Sequence, residues 1–138
     1  MNLEIAVIPG DGMMGRFNVS PEGKNIAYAY HNLSEAPAPG WKVDVIPIDG
    51  GPAERILNVP AGISALCWSP DGGGVQFLLT RNGTTNVWEQ RLAGGPPKQI
   101  SGFTSGQMFD FNWSPDHSRL LMLRGDTKSD VVLYSNLR

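Results

Sequence analysis

A short motif in which apolar residues precede Ser-Pro occurs three times in this chain. The sequence reads FNVSPEG at 17–23, LCWSPDG at 66–72 and FNWSPDH at 111–117. The serines at 20, 69 and 114 are therefore 49 and 45 residues apart. A second turn signal, Gly-Gly-Pro, keeps nearly the same spacing, since it occurs at 50–52 and 94–96. Strand-rich units repeated about every 40–50 residues predict an array, most often the blades of a propeller.

The middle repeat predicts four antiparallel strands, which together make one blade. Strand 63–69 leads into Ser-Pro-Asp-Gly, a turn in which Pro presets φ and Gly72 is expected to have positive φ or to lie beside a bulge. His117 holds the equivalent position in the last repeat, so we expect the same there. Strand 75–79 is apolar throughout and predicted to be buried. Asn-Gly at 82–83 predicts a tight hairpin before a half-exposed strand over 86–92 and a short outer strand over 98–100.

The flanking repeats follow the same plan with differences at both ends. The first predicts strands over 25–30 and 42–46, joined by a proline-containing loop over 31–40. The last predicts strands over 108–114, 119–123 and 130–134, without a fourth. Residues 1–15, with a strand over 3–9, are interpreted as the remnant of a preceding blade. The predicted fold is all-β, with about three four-stranded antiparallel blades at 16–60, 61–105 and 106–138, forming a partial β-propeller or half-ring.

Composition narrows the classes of partner and site. The 138-residue chain has a formal charge of −2, and its 11 Lys and Arg are scattered. A nucleic-acid partner is not expected, because it would require a clustered basic patch. The single cysteine excludes an internal disulfide and a Cys-based zinc site. The sequence shows no recognisable signal peptide and no apolar run of membrane-spanning length, so membrane insertion by this chain is not expected.

No catalytic, cofactor-binding or metal-binding residues are predicted. Gly10, Gly12 and Gly15 match G-x-G-x-x-G, but a dinucleotide site needs a helix next, and 16–21 reads as strand and turn. Cys67 lies between Leu66 and Trp68 and is expected to be a buried, inert thiol.

Other chemistry-bearing residues are also given structural interpretations. His31 and His117 are expected to face solvent. Asp126 and Asp130 flank the last turn, but their spacing is weak support for a cation site. The segment 62–65 lacks the final glycine of a hydrolase nucleophile elbow. We therefore do not expect an enzyme.

Function in a propeller lies in its loops and not in its fold. Trp41 follows the loop over 31–40 and is expected to be the most exposed tryptophan, whereas Trp68, Trp88 and Trp113 are expected to pack between blades. The candidate interaction surface comprises six residues in or beside predicted loops: His31, Trp41, Arg81, Asn82, Arg124 and Asp126.

The Ser-Pro-Asp-Gly turn after an aromatic strand, with Gly-Gly-Pro later, resembles the WD40-like, TolB-type bacterial β-propeller repeat. The segments 92–100, 103–109, 113–116 and 129–133 are similar to the closing blades of the C-terminal propeller of bacterial serine/threonine kinases and winged-helix regulators. The resemblance covers about residues 16–138. It implies an extracytoplasmic sensory or protein-interaction module without catalytic residues. The chain departs from this family in lacking its upstream blades and in having His117 where the turn prefers Gly.

These observations leave several functions open. The first is a non-catalytic module that binds a protein or peptide. The second is the regulatory propeller fragment of a prolyl-oligopeptidase-like hydrolase, and a nucleotide-dependent enzyme is a distant third. The predicted edge strands 3–8 and 131–134 are apolar and unprotected. We therefore expect either a head-to-tail homodimer that closes a ring of about six blades or a fragment that stays a three-sheet monomer or aggregates.

Overall fold

The computed structural model describes residues 13–32 and 40–126, and all regular structure within them is β-strand. Its ten strands form three antiparallel sheets, each in sequential order. Blade 1 contains β1 Met13–Val19, β2 Asn25–Asn32, β3 Gly40–Pro47 and β4 Arg55–Val59. Blade 2 contains β5 Ser64–Trp68, β6 Gly74–Arg81, β7 Thr84–Arg91 and β8 Lys98–Gln99. Blade 3 contains β9 Gln107–Trp113 and β10 Leu120–Gly125. The prediction of an all-β partial propeller is confirmed.

The Ser-Pro turns join the first two strands of every blade in one geometry. In each, the backbone N–H three residues after the serine donates to the serine carbonyl, at 2.8–2.9 Å. The serine hydroxyl also accepts the N–H of the residue five positions further on, at Asn25, Gly74 and Arg119. The turn is thus closed by both backbone and side chain, so the sequence repeat is a structural repeat.

Positive φ occurs where the turn chemistry requires it. Gly72 has φ 70° and His117 has φ 57°, which confirms the prediction for both positions. Asn82 and Gly83 have φ 50° and 78°, as a two-residue hairpin turn of this sequence demands.

Two apolar cores lie between successive blades, because blade 2 buries both faces of its sheet. The first joins β2, β3 and β4 of blade 1 to β5 and β6 of blade 2. The second joins blade 2 to blade 3, where Leu78 and Val87 pack with Met108 and Phe111. β6 is buried from Gly74 to Leu79, as its continuous apolar sequence predicts.

Tryptophans from the first strand of one blade are hydrogen-bonded to the blade before it. The indole N–H of Trp68 donates to the carbonyl of Asn18 at 3.0 Å. The indole N–H of Trp113 donates to Oε1 of Gln76 at 2.9 Å. These bonds satisfy the one polar group of a side chain that otherwise contributes apolar area.

β7 is more buried than its alternating sequence predicts. It begins at Thr84 and ends at Arg91, and its buried residues include Thr85, Asn86, Val87 and Gln90. The prediction of a half-exposed strand is wrong, because the segment after β8 folds back over it. The Asn86 amide bonds the backbone N–H and carbonyl of Phe103 at 2.8 and 3.0 Å. Ser101 Oγ also donates to Asn86 Oδ1.

Several predicted elements lie outside the described residues. These are the strands over 3–9 and 130–134, the turn over 10–12 and most of the loop over 31–40. Of residues 1–15, the structure describes 13–15, which belong to β1 of blade 1. The blade boundaries drawn from the sequence stay predictions.

Candidate interaction surface

Three basic residues hold equivalent places at the end of the second strand of each blade. His31 is the penultimate residue of β2, Arg81 is the last residue of β6, and Arg124 is the penultimate residue of β10. Because the blades repeat one strand order around a common axis, these strand ends lie on one face of the molecule. We call this face, with its three pairs described below, the basic–aromatic face.

His31 forms the first pair with Trp41. The two residues are directly opposite in the β2–β3 ladder, and their ring centroids are 5.3 Å apart with planes inclined by 13°. Both side chains are only half-buried. The expectation that His31 lies in a loop facing solvent is therefore wrong, and the exposure of Trp41 is partial, like that of Trp88 and Trp113. β2 and β3 extend past the predicted strand ends, and cross-strand stacking covers one ring with the other.

Arg81 forms the second pair with Trp88. Its guanidinium carbon lies 4.5 Å from the centroid of the Trp88 ring. The turn residue Asn82 follows immediately and is exposed. The aromatic ring supports the guanidinium from one side by a cation–π contact, which leaves N–H groups on the other side open to solvent.

Arg124 forms the third pair with Phe103. Its guanidinium carbon lies 3.5 Å from the centroid of that ring, and one N–H donates to the Ser105 carbonyl at 2.6 Å. Asp126 is exposed just beyond the end of β10. Because Asn86 holds the backbone of Phe103, this pair is anchored to blade 2 while its cation comes from blade 3.

Both arginines are exposed, and neither forms an ion pair with a carboxylate of the described residues. All six residues assigned from the sequence lie on or beside this face. Sequence reasoning missed the two aromatic partners, Trp88 and Phe103. Trp88 is the residue opposite Phe77 in the β6–β7 ladder, on the same face of the sheet as Arg81, so strand alternation and cross-strand pairing could have placed it within reach of Arg81. Nothing in the local sequence indicates the position of Phe103.

The opposite face carries a different charge pattern. Arg91 makes two hydrogen bonds to the carboxylate of Asp71, at 3.1 and 3.2 Å. The Arg91 guanidinium, with the Ser69 hydroxyl and the Gly73 N–H, holds the pKa of that carboxyl well below its usual range. An open cleft of about 690 Å³ beside this pair is bordered by Glu22, Glu54 and Arg55. Arg91, unlike Arg81 and Arg124, is therefore paired with carboxylates of its own blade.

The inner strands border a second open cleft, of about 470 Å³, along the propeller axis. Cys67 lies in its wall and is buried, with its Sγ 3.5 Å from Oδ1 of Asn112. Burial raises the pKa of this thiol, which disfavours the thiolate a nucleophile needs. Among the described residues, no group of three His, Cys, Asp or Glu could hold a metal ion.

The described residues contain no helix with the length and hydropathy of a membrane span. Gly15, the last glycine of the G-x-G-x-x-G match, lies within β1. A strand therefore follows the glycines in place of the helix that a phosphate-binding loop requires.

Solved structures of two acylaminoacyl peptidases and an isopeptidase contain a region with a similar fold. An acylaminoacyl peptidase in complex with Z-Gly-Gly-Phe-chloromethyl ketone superposes with a TM-score of 0.56 and 17% identity, covering 92% of this chain and 20% of that one. Acylaminoacyl peptidase from Pyrococcus horikoshii gives 0.55 and 17%, with 91% and 19% covered. AtxE2 isopeptidase gives 0.52 and 18%, with 76% and 21% covered.

The likeness is one of fold, because the identities are below 20%. The chain spans about a fifth of the length of the structures it matches. No family model matches the chain, and no curated protein does. The fold and the arrangement of its blades define a partial β-propeller.

Proposed function

We propose that this chain is a non-catalytic β-propeller module that binds an acidic segment of a protein or peptide on the basic–aromatic face. The observation that carries the proposal is the pair of exposed guanidinium groups, Arg81 over Trp88 and Arg124 over Phe103, at equivalent ends of two blades. The proposal also assigns the repeats to the WD40-like, TolB type and gives the module a sensory role. Both assignments rest on the similarity of the Ser-Pro-Asp turns to those of that repeat family.

The chemistry of the two pairs favours a carboxylate ligand. A guanidinium held against a ring has lost much of its rotational freedom, so less entropy is lost when it binds. Its remaining N–H groups match the two oxygens of a carboxylate. Asp126 repels a carboxylate that approaches beyond Arg124, so acidic side chains are expected to align between Arg81 and Arg124. The stacked rings of His31 and Trp41 extend the face with apolar area.

The non-catalytic part of the proposal rests on the buried thiol and the placement of the two histidines. Cys67 has an amide and not an imidazole as its neighbour. His31 stacks on Trp41 at the end of β2, whereas His117 occupies the Ser-Pro turn at the other end of blade 3. Among the described residues, neither histidine is a hydrogen-bond partner of Cys67, although His117 borders the same small cleft as Cys67.

An array of immobilised peptides that differ only in their content of Asp and Glu tests the proposal. We expect retention of the acidic peptides, and we expect it to weaken as salt is added, because exposed charges are screened. The variant R81A/R124A should lose at least about tenfold in affinity, since one charge-assisted hydrogen bond contributes roughly 1.5–3 kcal/mol and about 1.4 kcal/mol corresponds to tenfold. The matched control is Arg55→Ala, an exposed arginine at the opposite end of blade 1. Equal loss in both variants, or no preference for acidic peptides, would refute the proposal.

A second candidate is the regulatory propeller portion of a prolyl-oligopeptidase-like hydrolase. It is supported by the resemblance of the fold to two acylaminoacyl peptidases and an isopeptidase, of which the chain spans about a fifth. Sequencing the gene on both sides of this segment tests it. An adjoining hydrolase domain with a Gly-x-Ser-x-Gly elbow would favour this candidate, and an adjoining kinase domain would exclude it.

A further inference from the structure

The residues of each second strand alternate between two inter-blade contacts. We call the face toward the preceding blade the front face and the face toward the following blade the rear face. In blade 2, Phe77 is on the front face and packs in the core shared with blade 1. Its neighbour Leu78 is on the rear face and packs in the core shared with blade 3. The first strand adds Trp68 to the front face.

The same positions are exposed at the two ends of the array. Counting from the serines, Leu121 and Leu123 of blade 3 correspond to Gln76 and Leu78, which are buried. Leu121 and Leu123 are 55% and 64% exposed. The rear face of blade 3 therefore presents apolar side chains where the molecule elsewhere packs a following blade.

The inner strand of blade 1 presents the complementary surface. Phe17 and Val19 correspond to Leu66 and Trp68 of blade 2, which are buried against blade 1. Phe17 and Val19 are instead 62% and 43% exposed. On β2, by contrast, the front-face side chains of Tyr28 and Tyr30 are buried, so the open part of this face is β1.

We propose that a second copy of the chain docks head to tail, with Phe17 and Val19 of one copy packed on Leu121 and Leu123 of the other. Phe17 and Leu121–Leu123 border the same axial cleft, so both surfaces lie on the side of the array that no blade of the described residues covers. A two-fold axis along the propeller axis then makes two equal contacts and closes the assembly at two copies.

The polarity of the two surfaces favours a second copy as the occupant. Where blade 3 brings the indole N–H of Trp113, blade 2 offers Oε1 of Gln76. At the corresponding place in the proposed contact, blade 3 offers Leu121, which accepts no hydrogen bond. Val19 of a second copy brings no hydrogen-bond donor to that place, so the proposed contact is apolar on both sides.

Sedimentation velocity of the 138-residue chain at micromolar concentration tests the proposal. We expect twice the chain mass of 14.9 kDa. Phe17→Asp and Leu123→Asp should each sediment as monomers, because each places a charge in both contacts. Ile100→Asp is the matched control, since Ile100 is exposed beside the outer strand of blade 2, and it should remain dimeric.

Mixing the two monomeric variants distinguishes a lost contact from misfolding, because misfolded chains would not regain specific association. A pair made of one copy of each has one contact free of substitutions, so association should return, more weakly than in the wild type. A monomeric wild-type chain would overturn the proposal. So would a dimeric Phe17→Asp variant beside a monomeric Leu123→Asp variant, since that pattern identifies contact between two rear faces. Neither outcome bears on the proposed peptide binding by the basic–aromatic face, because that binding is tested separately with peptides.

Discussion

The side chain of Gln76 joins two blades, because its Oε1 accepts the indole N–H of Trp113 at 2.9 Å while its Nε2 donates to Glu89 at 3.1 Å. Gln76 is the one polar residue in the buried stretch of β6. Its burial is tolerated because both ends of its amide are paired.

Breaking this bond should destabilise the fold. Gln76→Leu leaves the Trp113 N–H without its acceptor, and a buried unpaired group costs about 1–3 kcal/mol. Trp113→Phe removes the donor too, so the double variant Q76L/W113F should be less destabilised than the sum of the single variants. Urea denaturation of the four proteins measures this coupling. Strictly additive effects would show that the bond contributes nothing.

Gly72→Val should lower the free energy of unfolding by about 1 kcal/mol or more, because a β-branched residue is strained at φ 70°. A Cβ built on Gly72 also lies 2.9 Å from Oε2 of Glu22, which has to move. Gly102→Val is the control, since a Cβ there meets nothing within 4 Å and φ is not in the left-handed region. Equal midpoints for the two variants would contradict this account of the turn.

His117→Gly should have the opposite sign. His117 adopts φ 57°, a conformation that costs an L side chain roughly 1–2 kcal/mol. Glycine removes that cost, but it also gives the unfolded chain more conformational freedom, which offsets part of the effect. We therefore expect the free energy of unfolding to rise by about 0.5–1 kcal/mol. Ser118→Gly, one residue along, should not stabilise. Thermal unfolding of both variants makes the comparison.

Acid should destabilise the protein through the Ser-Pro-Asp turns. The Ser114 hydroxyl and the Ser118 side chain and N–H lower the pKa of Asp116 to about 2, and Arg91 lowers the pKa of Asp71. A carboxyl with a depressed pKa in the folded state stabilises it above the unfolded value, and this stabilisation is lost as pH falls.

The loss is therefore expected between about pH 4 and pH 2, the range between the usual aspartate pKa of 3.8 and the lowered pKa of Asp116. The variant D71N/D116N should be less stable than the wild type at pH 7 and should show a flatter profile in that range. Urea midpoints across pH measure it. Parallel profiles for the two proteins would show that other carboxyls dominate.

The Cys67 thiol should react slowly with a disulfide reagent in the folded protein. Its side chain is buried and its pKa is raised by burial, so little thiolate is accessible. Denaturant should increase the rate to that of an unstructured thiol. Ser64→Cys in a Cys67→Ser background places a thiol at an exposed position of the same strand and should react fast. Equal rates at both positions in native buffer would mean that β5 opens readily.

Local chemistry explains what could be predicted from the sequence. The turn at 69–72, the hairpin at 82–83 and the buried strand over 75–79 depend on neighbouring residues, so their signals are short-range. The positive φ of Gly72 and His117 follows from the same turn. These features repeat every 45–49 residues, which was enough to identify the fold.

Contacts between residues far apart in sequence could not be predicted. The stacking of His31 on Trp41 depends on β2 and β3 continuing beyond their apolar residues. The contact between Arg124 and Phe103 crosses from one blade to the linker of another. Ala65, with φ 50° at an irregularity in β5, carries no turn signal at all. Such placements are decided by how the sheets pack and not by local preference.

The linker between blades 2 and 3, residues 100–106, is held mainly by hydrogen bonds to blade 2. Asn86 holds its backbone at Phe103, and Thr85 N–H donates to the Gly106 carbonyl. In a repeat array, each unit is stabilised mainly by its nearest neighbours and can detach from an end. Transient loss of blade 3 should therefore stop at Gly106, with the linker still bound to β7. In amide exchange, Phe103 should be protected as long as Val87 is, and for longer than the amides of β9 and β10.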